Sequence, residues 1–265
     1  MTDSPLQVPH EAVKLSEGTQ MPLLGFGTWQ AKGRDAMQAV STALETGYRH
    51  LDTATTYRNE TEVGRALADS GLPREEVFLT TKCPPRRAGH ELDTLRQSLD
   101  SLQTDYVDLW LIHWPGDGGA NAQLWEAFVE AREAGLAREI GVSNFEMTLL
   151  DEVTEATGAA PAVNQIEWSP LLYDAATLAQ HRDRDVVVEG YSGLRGGVLE
   201  HPTIVGIAER AERTPAQVII RWHLQHGVVV IPKSVHTDRI RSNADVGGFT
   251  LSESDMSALD ALGSS

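Results

Sequence analysis

Four polar residues of this chain are of types that can act together on an oxygen atom. Asp52 and Tyr57 both lie in the stretch R-H-L-D-T-A-T-T-Y-R-N-E at residues 49–60, Lys82 ends the run V-F-L-T-T-K, and His113 ends the run V-D-L-W-L-I-H. An ammonium beside a phenol favours the phenolate and lowers the phenol pKa, and a carboxylate keeps the ammonium charged and oriented. A histidine beside them can donate a hydrogen bond to a carbonyl oxygen. The set therefore suits protonation of an oxygen that is gaining negative charge.

Each of the four residues also has an ordinary structural explanation. A single aspartate at a strand end is more often a helix cap or an ion-pair partner, a lysine there is usually solvated, and a histidine can be a hydrogen-bonded core residue. The grouping favours a functional site, because all four side chains come from the ends of three neighbouring predicted strands.

The elements that must position these side chains alternate between strand and helix. Leucines at helical spacing predict a helix at 92–102, and a capping box with proline at the first helical position predicts another from Thr214 to a stop at Gly227. Asn59 and Glu62 predict a helix start after the opening stretch. The predicted strands are the short apolar or β-branched runs at 23–27, 50–54, 77–82, 107–113, 139–144, 162–167, 186–191 and 228–232.

This alternation predicts the fold class. Eight strand and helix units in about 240 residues favour a closed (β/α)8 TIM barrel, an α/β fold, over an open doubly wound sheet. Residues 13–23 predict an N-terminal β-hairpin around Glu17-Gly18, and residues 252–262 predict a short C-terminal helix. Because no linker or low-complexity segment interrupts the pattern, we expect residues 1–265 to form a single domain. Chemistry in a TIM barrel sits at the C-terminal ends of the strands, where the four polar residues would converge.

Composition excludes several classes of protein. The chain has 265 residues, 41% of them hydrophobic, and a formal net charge of -16, which disfavours a uniform affinity for nucleic acid or for an anionic membrane. Its single cysteine, Cys83, excludes an intramolecular disulfide and a Cys-x-x-Cys metal site. The N-terminus lacks the form of a secretory signal, and the aliphatic runs are too short to span a bilayer. We therefore expect a soluble cytoplasmic protein.

The motifs around the four residues resemble those of the aldo-keto reductase family. The matching stretches are G-Y-R-H-L-D-T-A-T-T-Y-R-N-E-T-E-V-G at 47–64, L-T-T-K at 79–82, L-I-H-W-P at 111–115, I-G-V-S-N-F at 140–145, V-N-Q-I-E-W at 163–168 and V-I-P-K-S-V at 230–235. The resemblance implies an NADP-dependent oxidoreductase of the carbonyl reductase or alcohol dehydrogenase type, which reduces an aldehyde or ketone to an alcohol by hydride transfer from NADPH. Tyr57 would be the general acid, with Asp52, Lys82 and His113 as its partners.

The resemblance also implies where the cofactor and the substrate bind. The chain has no G-x-G-x-x-G after a strand and no G-x-x-x-x-G-K-[ST], so a Rossmann or P-loop site is not supported. Two cations and a hydroxyl near the C-terminus suit a 2′-phosphate, which favours NADPH over NADH. The implied contacts are Ser143, Asn144 and Gln165 to the carboxamide, Tyr191 to the nicotinamide ring, Lys233, Ser234 and Arg239 to the 2′-phosphate, Asn243 near the adenine, Ser192, Leu194 and Val235 elsewhere on the cofactor, and Trp29 and Trp114 on the substrate.

Three features depart from the family pattern. Cys83 is followed by P-P-R-R, and Arg86 and Arg87 give the hypothesis of an anionic carbonyl substrate. The loop Y-S-G-L-R-G-G at 191–197 either is flexible or lets the backbone approach the pyrophosphate, and the sequence leaves both open. The chain ends soon after the last predicted helix, so we expect an open site. This is typical of the shorter bacterial branch that includes 2,5-diketo-D-gluconate reductases, and the family resemblance implies a monomer.

Three other functions compete with this interpretation. A Schiff-base aldolase could use Lys82 as its nucleophile on the same barrel, although Tyr57 and V-I-P-K-S would then be unexplained. A non-catalytic protein could bind NADPH and report redox state to a partner. A metal enzyme is disfavoured, because nine histidines are present without H-E-x-x-H or a close Cys/His cluster, so we predict no metal site.

Overall fold

The predicted hairpin precedes the barrel. The computed structural model describes residues 6–116 and 120–264. The first five residues of the N-terminus, for which no secretory signal is predicted, and Ser265 lie outside the described residues. Strands β1 (Ala12–Lys14) and β2 (Gln20–Pro22) pair antiparallel, with Val13 opposite Met21. The turn closes where Gly18 N donates to Leu15 O, and Gly18 has a φ of 93°, which a glycine adopts without strain.

Each of the eight predicted runs overlaps one strand of a parallel sheet. The spatial order of these strands is the order of the chain, as expected when every strand is followed by a helical connection. They are β3 (Phe26–Gly27), β4 (His50–Asp52), β5 (Phe78–Cys83), β6 (Val107–Ile112), β7 (Ala137–Ser143), β8 (Val163–Glu167), β9 (Val187–Tyr191) and β10 (Val229–Val230).

The sheet closes on itself between its first and last strands. Leu24 forms a parallel bridge with Val230, Gly25 N donates to Val230 O at 2.9 Å, and Val230 N donates to Leu23 O at 2.8 Å. These bonds join the edge before β3 to β10. The predicted (β/α)8 barrel is therefore confirmed.

Helices surround the barrel and bury one face each against it. Trp110 of β6 stacks on Phe128 at 3.6 Å between ring centroids, and both are fully buried. The predicted capping box is present: Gln217 N donates to Thr214 Oγ1, and Thr214 N donates to Gln217 Oε1. The helices are α1 (Gly33–Thr46), α2 (Glu60–Asp69), α3 (Glu91–Leu102), α4 (Ala120–Glu133), α5 (Met147–Thr157), α6 (Ala175–Arg182), α7 (Pro202–Ala211), α8 (Pro215–His226), α9 (Thr237–Ala244) and α10 (Glu253–Asp260).

Asn59 precedes α2 as predicted, but its side chain does not cap the helix. Its Nδ2 donates to Thr28 O at 2.9 Å and to Ala31 O at 3.0 Å, and its Oδ1 accepts from Thr53 Oγ1 at 2.8 Å. The buried amide thus joins the loop after β3 to the loop after β4. Both loops lie at the C-terminal end of the barrel, so Asn59 helps to fix the walls of the site.

Among the residues that the structure describes, no helix is both long enough and apolar enough to cross a membrane.

Candidate active site

Lys82 lies at the centre of the polar group inside the barrel. Its Nζ donates to both oxygens of Asp52, at 2.7 and 2.6 Å, and to Thr53 O at 2.9 Å. The lysine side chain is fully buried. Burial by itself would lower the pKa of Lys82, but the charge and hydrogen bonds of Asp52, together with the influence of Tyr57 and Glu189, outweigh it and the net pKa is raised. The ammonium therefore stays charged at neutral pH, which disfavours a Schiff-base role for this amine.

Tyr57 is brought to the same ammonium by a short 3-10 turn, Thr55–Tyr57, that follows β4. Its hydroxyl lies 3.4 Å from Lys82 Nζ. Burial raises the pKa of Tyr57, Lys82 partly offsets this rise, and Asp52 adds to it. The expected influence of Lys82 is present, but the expectation that it leaves Tyr57 with a lowered pKa was wrong. A phenol that stays protonated at neutral pH has the state that a proton donor requires.

His113 follows β6 and lies beside Tyr57. The two rings meet edge to face, with centroids 5.6 Å apart. Burial, followed by the charges of Lys82 and Arg86, lowers the pKa of His113 to about 3, so the imidazole is neutral. Its Nδ1 lies 3.3 Å from Thr56 Oγ1. When that hydroxyl donates to Nδ1, Nε2 carries the ring proton and can donate it to a ligand.

These side chains face one large cavity at the C-terminal end of the barrel. Its volume is about 1430 Å³. Lys82 lies beneath the lining and reaches the site through Tyr57, and Val235 is exposed outside it. The predicted site residues that line the cavity are Trp29, Asp52, Tyr57, His113, Trp114, Ser143, Asn144, Gln165, Tyr191, Ser192, Leu194, Lys233, Ser234, Arg239 and Asn243.

The residues predicted to hold a carboxamide are joined by hydrogen bonds, because Ser143 Oγ donates to the backbone oxygen of Gln165 at 2.8 Å. Asn144 Nδ2 donates to Ser143 Oγ at 2.9 Å, and Asn144 Oδ1 accepts from the hydroxyl of Tyr191 at 2.8 Å. Gln165 Nε2 donates to Asp52 Oδ2 at 2.9 Å and to Glu189 Oε2 at 2.8 Å. The network therefore connects the amide groups at the cavity wall to the carboxylate that holds Lys82.

Glu189 was missed by the sequence analysis. It is fully buried, and it lies in the run V-V-V-E-G-Y two residues before Tyr191. A single acid within an apolar strand run was the available signal, because a buried strand position rarely carries a carboxyl group without a partner.

The part of the cavity beside α9 has two of the predicted cations in its lining. Lys233 and Arg239 are exposed at its lining, and Ser234 Oγ accepts from His236 N at 3.0 Å just before α9 begins. The N-terminus of α9 adds positive potential there. Asp238 also lines this part of the cavity and was not foreseen.

Both loops that depart from the family pattern contribute residues to the cavity lining. Arg86 lines the cavity, whereas Arg87 Nε donates to Thr94 Oγ1 at 2.8 Å on α3. A Cβ atom on Gly193 would lie 3.0 Å from His223 Cε1, so this glycine permits close packing against α8. The glycines at 196 and 197 have φ angles of 71° and 82°, which a tight turn requires.

Two exposed tryptophans, Trp29 and Trp114, line the cavity. Trp29 is 42% exposed and Trp114 is 52% exposed, and the guanidinium of Arg195 lies 4.8 Å above the Trp29 ring. Large exposed aromatic rings at a cavity mouth are available for contact with a bound molecule. Within the described ranges, no group of three or more His, Cys, Asp or Glu side chains is arranged to hold a metal ion.

Comparison with known proteins places this barrel and its polar centre in one class. A family model described as the aldo/keto reductase family matches residues 23–264, so the chain belongs to the aldo/keto reductase family, as its motifs predicted. An aldo-keto reductase from Mycolicibacterium smegmatis is 46% identical over 254 residues, which cover 94% of this chain and 92% of that one.

Solved structures give the same result. The crystal structure of an aldo/keto reductase from Brucella melitensis matches with a TM-score of 0.92 and 42% identity, covering 96% of this chain and 99% of that one. The crystal structure of a Gox0644 mutant in complex with NADPH matches with a TM-score of 0.90 and 39% identity, covering 96% of this chain and 94% of that one.

Proposed function

We propose that the protein reduces aldehyde or ketone substrates with NADPH, with Tyr57 as the general acid. The observation that carries the proposal is the position of Lys82, whose buried ammonium is held by Asp52 and lies 3.4 Å from the Tyr57 hydroxyl. Membership of the aldo/keto reductase family and the NADPH complex of a structural relative support the same reaction.

The chemistry of the cavity fits NADPH. Hydroxyl and amide groups lie at the end near Tyr57, where they can orient a carboxamide, and the Tyr191 ring lies beside them for a flat heterocycle. Lys233 and Arg239 at the other end suit a phosphate. The volume of about 1430 Å³ exceeds that of an ordinary small-molecule pocket, roughly 300–1,000 Å³, as a dinucleotide with a substrate requires.

The reaction adds a hydride and a proton to a carbonyl group. NADPH, when bound, supplies the hydride for the carbonyl carbon. Tyr57 gives its proton to the carbonyl oxygen, and the phenolate that remains is stabilised by the adjacent Lys82 ammonium. His113 is neutral, so it donates a hydrogen bond to the same oxygen without adding a charge. Asp52 keeps Lys82 charged and in place throughout.

The test is the loss of NADPH absorbance with a panel of aldehydes, ketones, keto acids and sugar acids. We expect Tyr57→Phe to lower kcat by about 10²–10⁴-fold and to leave NADPH affinity within about twofold of the wild type. Tyr106→Phe is the matched control, because it also removes one phenol hydroxyl. Tyr106 precedes β6 and packs between Arg74 and Arg138, so it lies at the opposite end of this strand from His113 and the site. Turnover that survives in Tyr57→Phe would refute the role of Tyr57, and NADPH binding without turnover on any substrate would favour a sensing function.

A further inference from the structure

A carboxyl group with no part in the proton transfer lies inside the barrel. Glu189 on β9 is in register with Gln165 on β8, so both side chains point to the interior beside each other. Glu189 Oε2 accepts from Gln165 Nε2 at 2.8 Å. Glu189 Oε1 is buried without a hydrogen-bond partner among the described residues and lies 3.6 Å from His50 Nε2. An unsatisfied buried oxygen is costly, so its position calls for a physical explanation.

The neutral form of Glu189 is the form that burial favours. Burial raises the pKa of this carboxyl, and the charge of Asp52 raises it further, while Gln165 and Lys82 partly offset the rise. Burial lowers the pKa of His50 to about 3, so its ring is neutral. His50 Nδ1 faces Pro22 O at 3.3 Å and carries the ring proton there, so Nε2 is an acceptor, and it lies 3.3 Å from Thr80 Oγ1 and 3.6 Å from Glu189 Oε1. A neutral carboxyl group places no charge on Oε1, which lowers the cost of burying this oxygen without a hydrogen-bond partner.

Asp52 and Glu189 together fix the orientation of the Gln165 amide. Both hydrogens of Gln165 Nε2 are used, one by Asp52 and one by Glu189. Turning the amide over would bring Gln165 Oε1 against the Asp52 carboxylate, which is repulsive. The observed orientation therefore leaves Oε1 as the unused polar atom of a residue that lines the cavity.

We propose that Glu189 is a positioning residue that locks the Gln165 amide, so that Gln165 offers Oε1 to the amino group of a nicotinamide carboxamide while its Nε2 holds Asp52. This inference rests on the proposed use of NADPH. It gives Glu189 a role in recognising the nicotinamide end of the cofactor, apart from the phosphate contacts at the other end.

The test compares two ligands and two substitutions. NADP⁺ contains the nicotinamide, whereas 2′-phospho-ADP-ribose keeps the phosphates and lacks that ring. Dissociation constants for both are measured by calorimetry on the wild type, Glu189→Met and Glu189→Gln. Methionine has a similar length and cannot accept the hydrogen bond from Gln165. Glutamine is neutral, has nearly the same shape and can present an oxygen to Gln165, so it copies the neutral acid.

We expect Glu189→Met to weaken NADP⁺ binding by about five- to tenfold, the effect of losing one hydrogen bond, and to leave 2′-phospho-ADP-ribose binding within about twofold. Glu189→Gln should restore NADP⁺ binding to within about twofold of the wild type. Unchanged binding of 2′-phospho-ADP-ribose also shows that each variant is folded.

Three results would overturn the inference alone: equal weakening of both ligands in Glu189→Met, no weakening of either, or a Glu189→Gln variant as defective for NADP⁺ as Glu189→Met. Failure of the wild type to bind NADP⁺ at all would overturn the proposed function together with it.

Discussion

Replacing Lys82 with methionine tests whether the buried ion pair with Asp52 is the electrostatic centre of the site. The substitution keeps most of the side-chain volume and removes the ammonium, whose nitrogen lies 2.6 Å from Asp52 Oδ2 with side-chain exposures of 0% and 2%. The carboxylate would then be buried with the Gln165 N–H, 2.9 Å away, as its remaining side-chain donor among the described residues. Removing one partner of a buried pair costs about 3–5 kcal/mol, so the free energy of unfolding should fall by that amount.

The double variant Asp52→Asn with Lys82→Met is the matched control. It replaces both charges with neutral groups of similar size, so we expect most of the lost stability to return, to within about 1 kcal/mol of the wild type. Asp52→Asn alone also leaves a buried charge unpaired, so it should cost about 3–5 kcal/mol, and the double-mutant cycle should therefore give a coupling energy of at least about 5 kcal/mol. Carbonyl reduction should fall by at least about 10²-fold in all three variants, because either the ammonium beside Tyr57 or its fixed position is lost.

Urea unfolding followed by tryptophan fluorescence measures these free energies, since Trp110, Trp125 and Trp222 are fully buried and report the loss of the core. Equal stability of Lys82→Met and the double variant would refute the reasoning, because it would mean that an unpaired Asp52 carboxylate carries no penalty. Activity that returned with stability in the double variant would also refute the catalytic role of the ammonium.

Three further predictions concern the pH profile and the charges around the cavity. Because burial raises the pKa of Tyr57 and lowers that of His113 to about 3, kcat/KM for reduction should stay level from about pH 6 to 8 and fall at alkaline pH as the phenol ionises. Alcohol oxidation needs the phenolate, so its rate should rise with pH. Steady-state rates in overlapping buffers check both profiles, and a reduction rate that rose with pH would contradict the role of Tyr57 as the acid. Arg239→Met should raise the Kd for NADPH by about tenfold and leave that for NADH within about twofold, because NADH lacks the 2′-phosphate, and fluorescence titration measures both. Arg86→Met should lower the ratio of kcat/KM for anionic to neutral carbonyl substrates by about fivefold, because Arg86 lines the cavity. Arg87→Met should leave this ratio unchanged, because Arg87 is hydrogen-bonded to α3. Equal effects of the two substitutions would contradict a contact between Arg86 and the anionic substrate.

The sequence determined those features of the fold that depend on residues close together in the chain. Each of the eight predicted strands is present, and the capping box at Thr214 formed because both of its partners lie within one turn. Strand ends were less well predicted. The run at 23–27 contains a strand only at Phe26–Gly27, and the run at 228–232 only at Val229–Val230, because strand length at the barrel seam depends on which backbone groups meet across it.

The sequence also identified the family, and nearly all of the site residues that it predicted line the cavity, since these occur in motifs of ordered spacing. It could not assign the contacts that each side chain makes. Asn59 looked like a helix cap and instead bonds to the loop after β3, and the proline-rich turn gave no reason to distinguish Arg86 from Arg87. Such contacts join residues far apart in the chain, so no local pattern specifies them.

What the tertiary structure alone decided is the protonation and orientation of the polar groups. The net pKa of Tyr57 depends on how far burial exceeds the influence of Lys82, and burial is a property of the whole packed barrel. The Gln165 amide is oriented by Asp52 from the opposite side of the barrel and by Glu189 from the adjacent strand. Residue types and spacing therefore determined which chemical groups this protein has at its site, and the closure of the barrel determined their charge states, because solvation and hydrogen bonding depend on neighbours in space.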